Sequence, residues 1–263
     1  INSDALDNSA GVDTSDHEVN IKIVTGEAIN HGALEREERD ALLFSMTDEV
    51  AGLVLRHNYQ QSQAISLAEE QAGEEHARLE RFMRALERNG RLDRAVEFLP
   101  DSAAMRTRGQ NRQYLTRPEL SVLLAYAKID LNDEILGSDL PDDPLLEGEL
   151  LRYFPTVLSG TYEPSIRAHR LRREITALQV VNSLVNRCGP TFVRNMAGRT
   201  GAPAAAIARA FAVVRDAWKL RDLWGDIEAL DPALKAEAQI RMLVPSQRFL
   251  TRTVQWALRR LPQ

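Results

Sequence analysis

Apolar residues recur at helical spacing in almost every window from Arg36 to the C-terminus. Side chains three and four positions apart lie on one face of an α-helix, so this pattern predicts a series of amphipathic helices. Glycine is sparse, at 14 residues, and aromatic residues make up only 6% of the chain, which disfavours β-sandwiches and β-barrels. No alternation of strands and helices follows residue 35, so a second nucleotide-binding fold is not expected there.

Several of these helices carry signals for their own ends. Thr116 and Glu119 form a capping box with Pro118 in the first turn, which predicts a helix start. Asn89-Gly90 predicts the end of the helix that contains Leu79 and Leu86. Proline and aspartate predict four further helix starts, at Pro164, Pro203, Asp231-Pro232 and Pro245-Ser246. We expect the helix from Pro164 to end at Gly189-Pro190 and the helix from Pro203 to end near Gly225. The last helix, from Pro245-Ser246, is expected to reach Leu261.

The first 35 residues differ from the rest in charge and in pattern. They hold seven carboxylates against a single basic residue, Lys22. Two short stretches, Ser3–Leu6 and Val19–Val24, have β-type composition and are separated by turn-forming residues. This pattern predicts a strand end, a turn of small residues, and then the start of a helix or strand.

The overall composition excludes several classes of protein. The chain has 33 basic and 38 acidic residues and a net charge of −5, which argues against nucleic acid as a partner. No run approaches the roughly 18 apolar residues that a membrane span requires, so no membrane insertion is expected. The chain begins at Ile1 without an initiator methionine or a signal sequence, and we expect it to be a piece of a longer protein.

Two further features have an ordinary structural interpretation. Cys188 is the only cysteine, so it forms no internal disulfide, and this favours a reducing cytoplasm as the compartment of the protein. We expect Cys188 to be a small buried side chain. A basic patch lies near a predicted helix start, and without interleaved aromatic residues it predicts a solvated face or a subunit contact. The patch consists of Arg167, His169, Arg170, Arg172 and Arg173.

The segment from Asp7 to Glu18 is where chemistry is expected. Its small residues allow a ligand to approach the backbone, and ligands of open α/β sheets bind at strand ends. The Asn8 amide is both a donor and an acceptor for a bound carboxamide or amino acid. The alternatives are structural: Asn8 as a turn-former, and Ser15 with Glu18 as a second capping box.

The same segment carries a family resemblance. Residues 8–12, Asn-Ser-Ala-Gly-Val, together with Ser15 and Glu18, resemble the end of the coenzyme domain of glutamate dehydrogenases. The longer string of residues 7–23 is similar to the large NAD-specific bacterial branch, and residues 61–263 are similar to the helical C-terminal extension of that branch. Alanine at position 10 stands where the family usually has glycine.

The resemblance implies a mainly α chain with two parts. Residues 1–60 would be the truncated end of an α/β, Rossmann-type coenzyme domain, and residues 61–263 an all-α domain. The parent protein would oxidise L-glutamate to 2-oxoglutarate and ammonia with NAD, in the cytoplasm. Asn8 matches a cofactor- and substrate-binding asparagine, and Ser15 a serine that binds the side-chain carboxylate of glutamate. The family's catalytic lysines, aspartate and glycine-rich loop have no match here, so the isolated chain is expected to be inactive.

Other functions remain open at this point. The acidic cluster around His17 suggests a divalent metal, but no standard metal-binding motif is present. We therefore expect no metal site, and His17 reads as a partly buried structural histidine. The helical part is expected to serve self-association or regulation. The alternatives are a non-enzymatic all-α interaction module and an unrelated all-α adaptor whose first 35 residues match the family by chance.

Overall fold

The computed structural model describes residues 1–260, and throughout that range the backbone forms helices and turns without a β-strand. This confirms the mainly α fold class. The α-helices are α1 (Asp4–Asp7), α2 (Ser9–Asn30), α3 (Arg39–Ser45), α4 (Thr47–Glu70), α5 (Ala72–Arg88), α6 (Ser102–Gln110), α7 (Arg117–Leu136), α8 (Glu147–Tyr153), α9 (Thr156–Thr161), α10 (Glu163–Arg167), α11 (Arg172–Cys188), α12 (Phe192–Thr200), α13 (Ala204–Ala217), α14 (Leu220–Glu228) and α15 (Ala236–Arg260). Two short 3₁₀-helices, Leu140–Asp142 and Pro144–Leu146, precede α8. No described helix combines the length and the apolar character that a membrane crossing requires.

The chain forms two compact units, each assembled from separate segments. Unit 1 contains Ile1–Ser3, Ser62–Glu134 and Val181–Gln263. Unit 2 contains Asp4–Gln61 and Ile135–Val180. The predicted division into residues 1–60 and 61–263 is a division by family resemblance, and it stays a prediction.

Unit 2 has its own apolar core. Helix α2 contributes Ile21 and Val24, and the segment from α8 to α11 contributes most of the remaining side chains. Helix α10 packs against α2, α8 and α9. Each buried aliphatic or aromatic side chain stabilises such a core by about 1.5–3 kcal/mol relative to its exposed state. The other core members are Met46, Leu150, Tyr153, Phe154, Leu158, Ile166 and Ile175.

Unit 1 is built around α13 and α15, which pack against each other and against α12 and α14. Phe211 of α13 and Leu250 and Val254 of α15 are completely buried. Arg187 is also buried, and its guanidinium donates to Gln63 Oε1 at 2.7 Å and to Glu228 Oε1 at 2.5 Å. The apolar core of unit 1 therefore includes a buried ion pair whose hydrogen bonds are satisfied.

The local end signals around α5 and α7 are confirmed. The Thr116 backbone N–H donates to the Glu119 carboxylate at 2.7 Å, and the Glu119 N–H reaches the Thr116 hydroxyl at 3.5 Å. Helix α5 ends at Arg88, and Gly90 follows with a left-handed φ of 67°. Glycine adopts this conformation without the steric cost of a Cβ atom.

The two predicted β-type stretches are wrong. Ser3–Leu6 leads into α1, and Val19–Val24 lies in the middle of the 22-residue helix α2. The alternation of Val19, Ile21 and Ile23 covers only five residues, whereas buried residues recur along α2 at helical spacing. A helix also satisfies its backbone hydrogen bonds internally, which a strand without a neighbouring strand cannot do.

The proline-based helix limits are only partly right. The helix predicted from Pro164 to Gly189 is broken between α10 and α11, where the Leu171 N–H donates to His169 Nδ1 at 3.0 Å. The helix predicted from Pro203 to Gly225 is broken at Lys219, which has a left-handed backbone with φ 50°. Local side-chain and backbone conformations end these helices where the apolar pattern alone would continue them.

The last two predicted helix starts are wrong. Asp231-Pro232 lies in a turn, and Pro245 lies inside α15. The predicted end of the last helix at Leu261 lies outside the described residues. An internal proline removes one backbone hydrogen bond and normally destabilises a helix. Here the buried face formed by Leu243 and Leu250 continues on both sides of Pro245, so tertiary packing maintains a single helix.

Candidate functional site

The two residues predicted to contact ligands lie at the beginning of α2. Asn8 occupies the position directly before the helix, and Ser15 lies almost two turns further along. Both are exposed, and within residues 1–260 neither side chain makes a hydrogen bond. Seven residues at 1.5 Å each separate them by about 10 Å along the helix axis, on the same face. The structure thus brings the two predicted residues together with their polar groups free.

This face of α2 also carries exposed apolar side chains. Val12 is 76% exposed and Val19 is 50% exposed. Both follow the helical spacing of Asn8 and Ser15, so the four residues form one surface, which we call the α2 face. The opposite side of the helix is buried, with His17, Ile21 and Val24 pointing into unit 2. Helix α2 therefore has a buried side and a solvent side that also carries two apolar side chains.

The interpretation of Ser15 and Glu18 as a capping box is wrong. Helix α2 already begins at Ser9, so Ser15 is an interior residue of the helix. The backbone N–H groups that follow Ser15 already donate to carbonyls within the helix, so none is free for a serine cap. Glu18 instead forms an ion pair with Lys22, one turn later. The Ser15 hydroxyl is therefore not needed to start the helix.

His17 is more deeply buried than the sequence indicated. Its side chain has no exposed surface, and its ring stacks on that of Tyr153, with 4.4 Å between ring centroids. The Asn20 amide donates to the Tyr153 hydroxyl at 2.9 Å, which fixes the phenol ring. Burial lowers the pKa of His17; the carboxylate of Asp13 opposes this effect and the imidazole of His57 adds to it. The histidine is therefore held neutral near pH 7.

Asp13 connects His17 to a second histidine. His57, on α4, has its Nδ1 atom 2.9 Å from Asp13 Oδ2, while His17 Nε2 is 3.9 Å from Asp13 Oδ1. One donor atom from each of the three residues can be chosen so that all lie within 4.8 Å of one another. We call Asp13, His17 and His57 the His–Asp–His cluster.

Sequence reasoning missed two members of this neighbourhood. Asp13 and His17 show the i, i+4 spacing of one helix face, which is visible in the sequence. His57 is 44 residues from Asp13 and Tyr153 is 133 residues from Asn20, and no local motif links them. Only the packing of unit 2 brings these side chains together.

The basic patch forms ion pairs within unit 2. Arg167 pairs with Glu163 and Glu147, and Arg172 and Arg173 both pair with Asp142. A patch whose charges are neutralised in this way has little attraction for a phosphate backbone.

His169 and Cys188 are at least partly buried. His169 of the patch is buried rather than exposed, and burial lowers its pKa. Cys188 is half-buried, and burial of its sulfur raises the pKa of the thiol, as expected of an unreactive cysteine.

Two family models match the chain. Residues 112–263 match the model described as glutamate dehydrogenase, C-terminal. Residues 1–68 match the model described as bacterial NAD-glutamate dehydrogenase, catalytic domain. The second match includes the α2 face and the His–Asp–His cluster.

Three relatives named NAD-specific glutamate dehydrogenase are similar along almost the whole chain. Those of Halomonas elongata and Pseudomonas aeruginosa are 44% identical over 259 and 258 residues, each covering 98% of the chain. That of Mycobacterium tuberculosis is 37% identical over 266 residues and covers 100% of it. The chain spans only 16% of the length of each of these proteins.

Proposed function

This chain belongs to the glutamate dehydrogenase family, and we propose that it is the C-terminal part of an NAD-dependent enzyme that interconverts L-glutamate with 2-oxoglutarate and ammonia. The match of residues 1–68 to the catalytic-domain model carries this proposal, because those residues include Asn8 and Ser15. The relatives' shared name supports NAD as the coenzyme and glutamate as the substrate. We place the reaction in the cytoplasm, in agreement with the single unpaired cysteine.

Within this enzyme, we propose that the α2 face lines the cleft for coenzyme and substrate. The Asn8 amide would hold the nicotinamide carboxamide, since an amide can donate to its oxygen and accept from its nitrogen. The Ser15 hydroxyl would donate to the side-chain carboxylate of glutamate. A spacing of about 10 Å allows one rigid helix to contact both ligands at once.

The fit of these residues to NAD rests on their surroundings. Asn8 is exposed and its side chain makes no cap hydrogen bond, so its donor and acceptor are available to a ligand. NAD, when bound, supplies the hydride acceptor. The residues of this chain orient the coenzyme and the substrate, and correct orientation alone can lower a barrier by several kcal/mol. No proton-transfer role is assigned to this chain.

Single substitutions in the full-length enzyme test these roles. Ser15→Ala removes a hydrogen bond to a charged group, worth about 1.5–3 kcal/mol, so kcat/KM for glutamate should fall about tenfold to a hundredfold. The KM for NAD should stay nearly constant. Asn8→Ala should instead raise the KM for NAD together with that for glutamate.

Thr14→Ala is the matched control for Ser15→Ala. The Thr14 hydroxyl is exposed and donates to the Ala10 carbonyl at 2.7 Å, so it is engaged by its own helix. Its loss should leave both kinetic constants unchanged. Equal kinetics for Ser15→Ala, Thr14→Ala and the unaltered enzyme would exclude a substrate-binding role for Ser15.

We also propose that the 263-residue chain is inactive by itself. The groups that transfer protons and the dinucleotide loop have no counterpart in it. A spectrophotometric assay of NADH formation with glutamate and NAD should detect no turnover. Measurable glutamate oxidation by the purified chain would contradict this proposal.

A second candidate function, assembly through self-association, concerns unit 1. Trp218 and Trp256 are 60% and 59% exposed, and Met242 is also exposed. On α15, Met242, Phe249 and Trp256 are spaced seven residues apart and so lie along one side of the helix, where Phe249 contacts the Trp218 ring. An exposed apolar stripe of this kind is typical of an interface, and we propose a second copy of the chain as its partner.

Sedimentation of the full-length enzyme tests the assembly role. The double substitution of Trp218 and Trp256 by serine should shift the enzyme to a smaller species at micromolar concentration. An unchanged oligomer would exclude assembly through this stripe and leave regulation as the role of the helical part.

A further inference from the structure

The His–Asp–His cluster contains a buried polar group that the proposed dehydrogenase function does not use. His17 is fully buried, and neither of its ring nitrogens has a hydrogen-bond partner among residues 1–260. An unsatisfied buried polar group destabilises the folded state and requires an explanation. The Nε2 atom points toward Asp13 at 3.9 Å, which is too long for a hydrogen bond.

The donor atoms around this position have the spacing of a metal site. Ligand atoms around a tetrahedral zinc ion, with bonds of about 2.0–2.1 Å, lie about 3.3 Å apart. The separations are 2.9 Å from His57 Nδ1 to Asp13 Oδ2 and 3.9 Å from His17 Nε2 to Asp13 Oδ1, on either side of that value. With one donor atom from each residue, all three lie within 4.8 Å of one another, so side-chain rotation can bring them onto one cation.

The helices position the ligands with little freedom. Asp13 and His17 are one turn apart on α2, and His57 approaches from α4. The Tyr153 ring stacks on His17 at an interplanar angle of 15°, and its hydroxyl is held by Asn20. This stacking, together with burial, restricts rotation of the His17 ring. The cluster is thus preorganised on its buried side.

The chemistry of the donors selects the cation. Two imidazole nitrogens and one carboxylate oxygen suit borderline divalent metals such as Zn²⁺, whereas Mg²⁺ and Ca²⁺ prefer six or more oxygen ligands. Asp13 and His57 are partly exposed, which leaves the outer side of the cluster accessible to a water ligand.

We propose that Asp13, His17 and His57 bind one divalent transition-metal ion, with Zn²⁺ as the preferred class. The ion supplies a partner for Nε2, one of the two unpaired ring nitrogens of His17, and it joins α2 to α4 within unit 2. His57 then carries its proton on Nε2 and coordinates through Nδ1. This departs from the sequence expectation of no metal, because the third ligand is distant in sequence. The proposal is independent of dehydrogenase activity.

Titration of the metal-free 263-residue chain with Co²⁺ and Zn²⁺ tests the proposal. Co²⁺ should bind with a stoichiometry of one and give visible absorption bands of four- or five-coordinate cobalt, which Zn²⁺ should abolish by displacement. Zn²⁺ should also raise the Tm. In each of the variants His57→Ala and Asp13→Asn, the affinity for Zn²⁺ should fall by a factor of about 10 to 100 or more.

His31→Ala is the matched control. His31 is exposed at the end of α2, 3.4 Å from Glu27, and represents an ordinary surface histidine–carboxylate pair. Its loss should leave the cobalt spectrum and the affinity unchanged. Circular dichroism checks that His57→Ala is folded, which we expect because the His57 side chain is partly exposed. No saturable Co²⁺ binding, or binding that survives both His57→Ala and Asp13→Asn, would overturn the proposal.

Discussion

The α2 face and the surroundings of Arg187 place polar groups in opposite situations. On the α2 face, the amide of Asn8 and the hydroxyl of Ser15 are exposed and make no side-chain hydrogen bond within residues 1–260. Around Arg187, the guanidinium is buried, pairs with Glu228 and lies 4.7 Å from the Trp224 ring centroid. The first group of side chains is available to a ligand, and the second is used by the fold. This difference is why we propose ligand binding for the first group and a structural role for the second.

The largest expected effect is the loss of the buried Arg187. Arg187→Ala removes the guanidinium that pairs with the buried carboxylate of Glu228, and breaking a buried pair costs about 3–5 kcal/mol. Urea unfolding of the chain measures the change in the free energy of unfolding. Arg241→Ala is the control, because Arg241 is 70% exposed and pairs with Glu70 at the surface, where a pair contributes about 0–1 kcal/mol. Equal losses in the two variants would show that the Arg187 contacts are not structural.

Two valines of α2 sharpen the comparison within one helix. Val24 is fully buried, so Val24→Ala should destabilise the chain by about 2 kcal/mol through lost burial and a small cavity. Val12→Ala should change the free energy of unfolding by less than about 0.5 kcal/mol, because Val12 is exposed. In the full-length enzyme, however, Val12→Ala should weaken the binding of glutamate. A large stability loss from Val12→Ala would contradict a free α2 face.

The smallest expected effect is a pH dependence confined to unit 2. His169 accepts from the Leu171 N–H through Nδ1, so Nε2 carries the proton near the Asn20 carbonyl, 3.3 Å away. Burial lowers the pKa of His169 in the folded state, as it does that of His17 in the same unit. The unfolded chain therefore binds more protons, and stability decreases as the pH falls through 6.5 toward the lowered value.

Hydrogen exchange, compared between pH 7 and a pH below 6, measures the change in amide protection separately for unit 1 and unit 2. Acid should decrease the protection of unit 2, and His169→Gln should reduce the acid-dependent part of that loss. His31→Gln, at an exposed position, should leave it unchanged. The buried arginines of unit 1 do not titrate in this range. A uniform loss across both units would count against His169 as the cause.

Local signals in the sequence predicted local structure well. The capping box of Thr116 and Glu119 needs only residues three positions apart, and both of its hydrogen bonds are present. Ser15 and Glu18 have the same spacing, but six earlier residues of α2 already continue the helix through them. The same motif therefore predicts a helix start only where the preceding residues are not helical.

Features set by tertiary packing were less accessible to sequence reasoning. Pro245 was assigned to a helix start, and the buried face of α15 overrides it. The burial of His17 depends on Tyr153, which lies far away in the sequence. The predicted ligand residues Asn8 and Ser15 came from a family resemblance, and their free side chains are compatible with it. Their contacts with ligands stay a prediction.

The discontinuous make-up of the two units has a consequence for biosynthesis. Unit 2 needs Ile135–Val180 to complete the core begun by Asp4–Gln61, and all of Ser62–Glu134 emerges from the ribosome in between. At about 5–20 residues per second, the nascent chain carries the unburied apolar side of α2 for several seconds or longer. Chaperone capture during translation should therefore concentrate on this early amphipathic segment, and shortened transcripts ending before residue 180 should yield aggregated product.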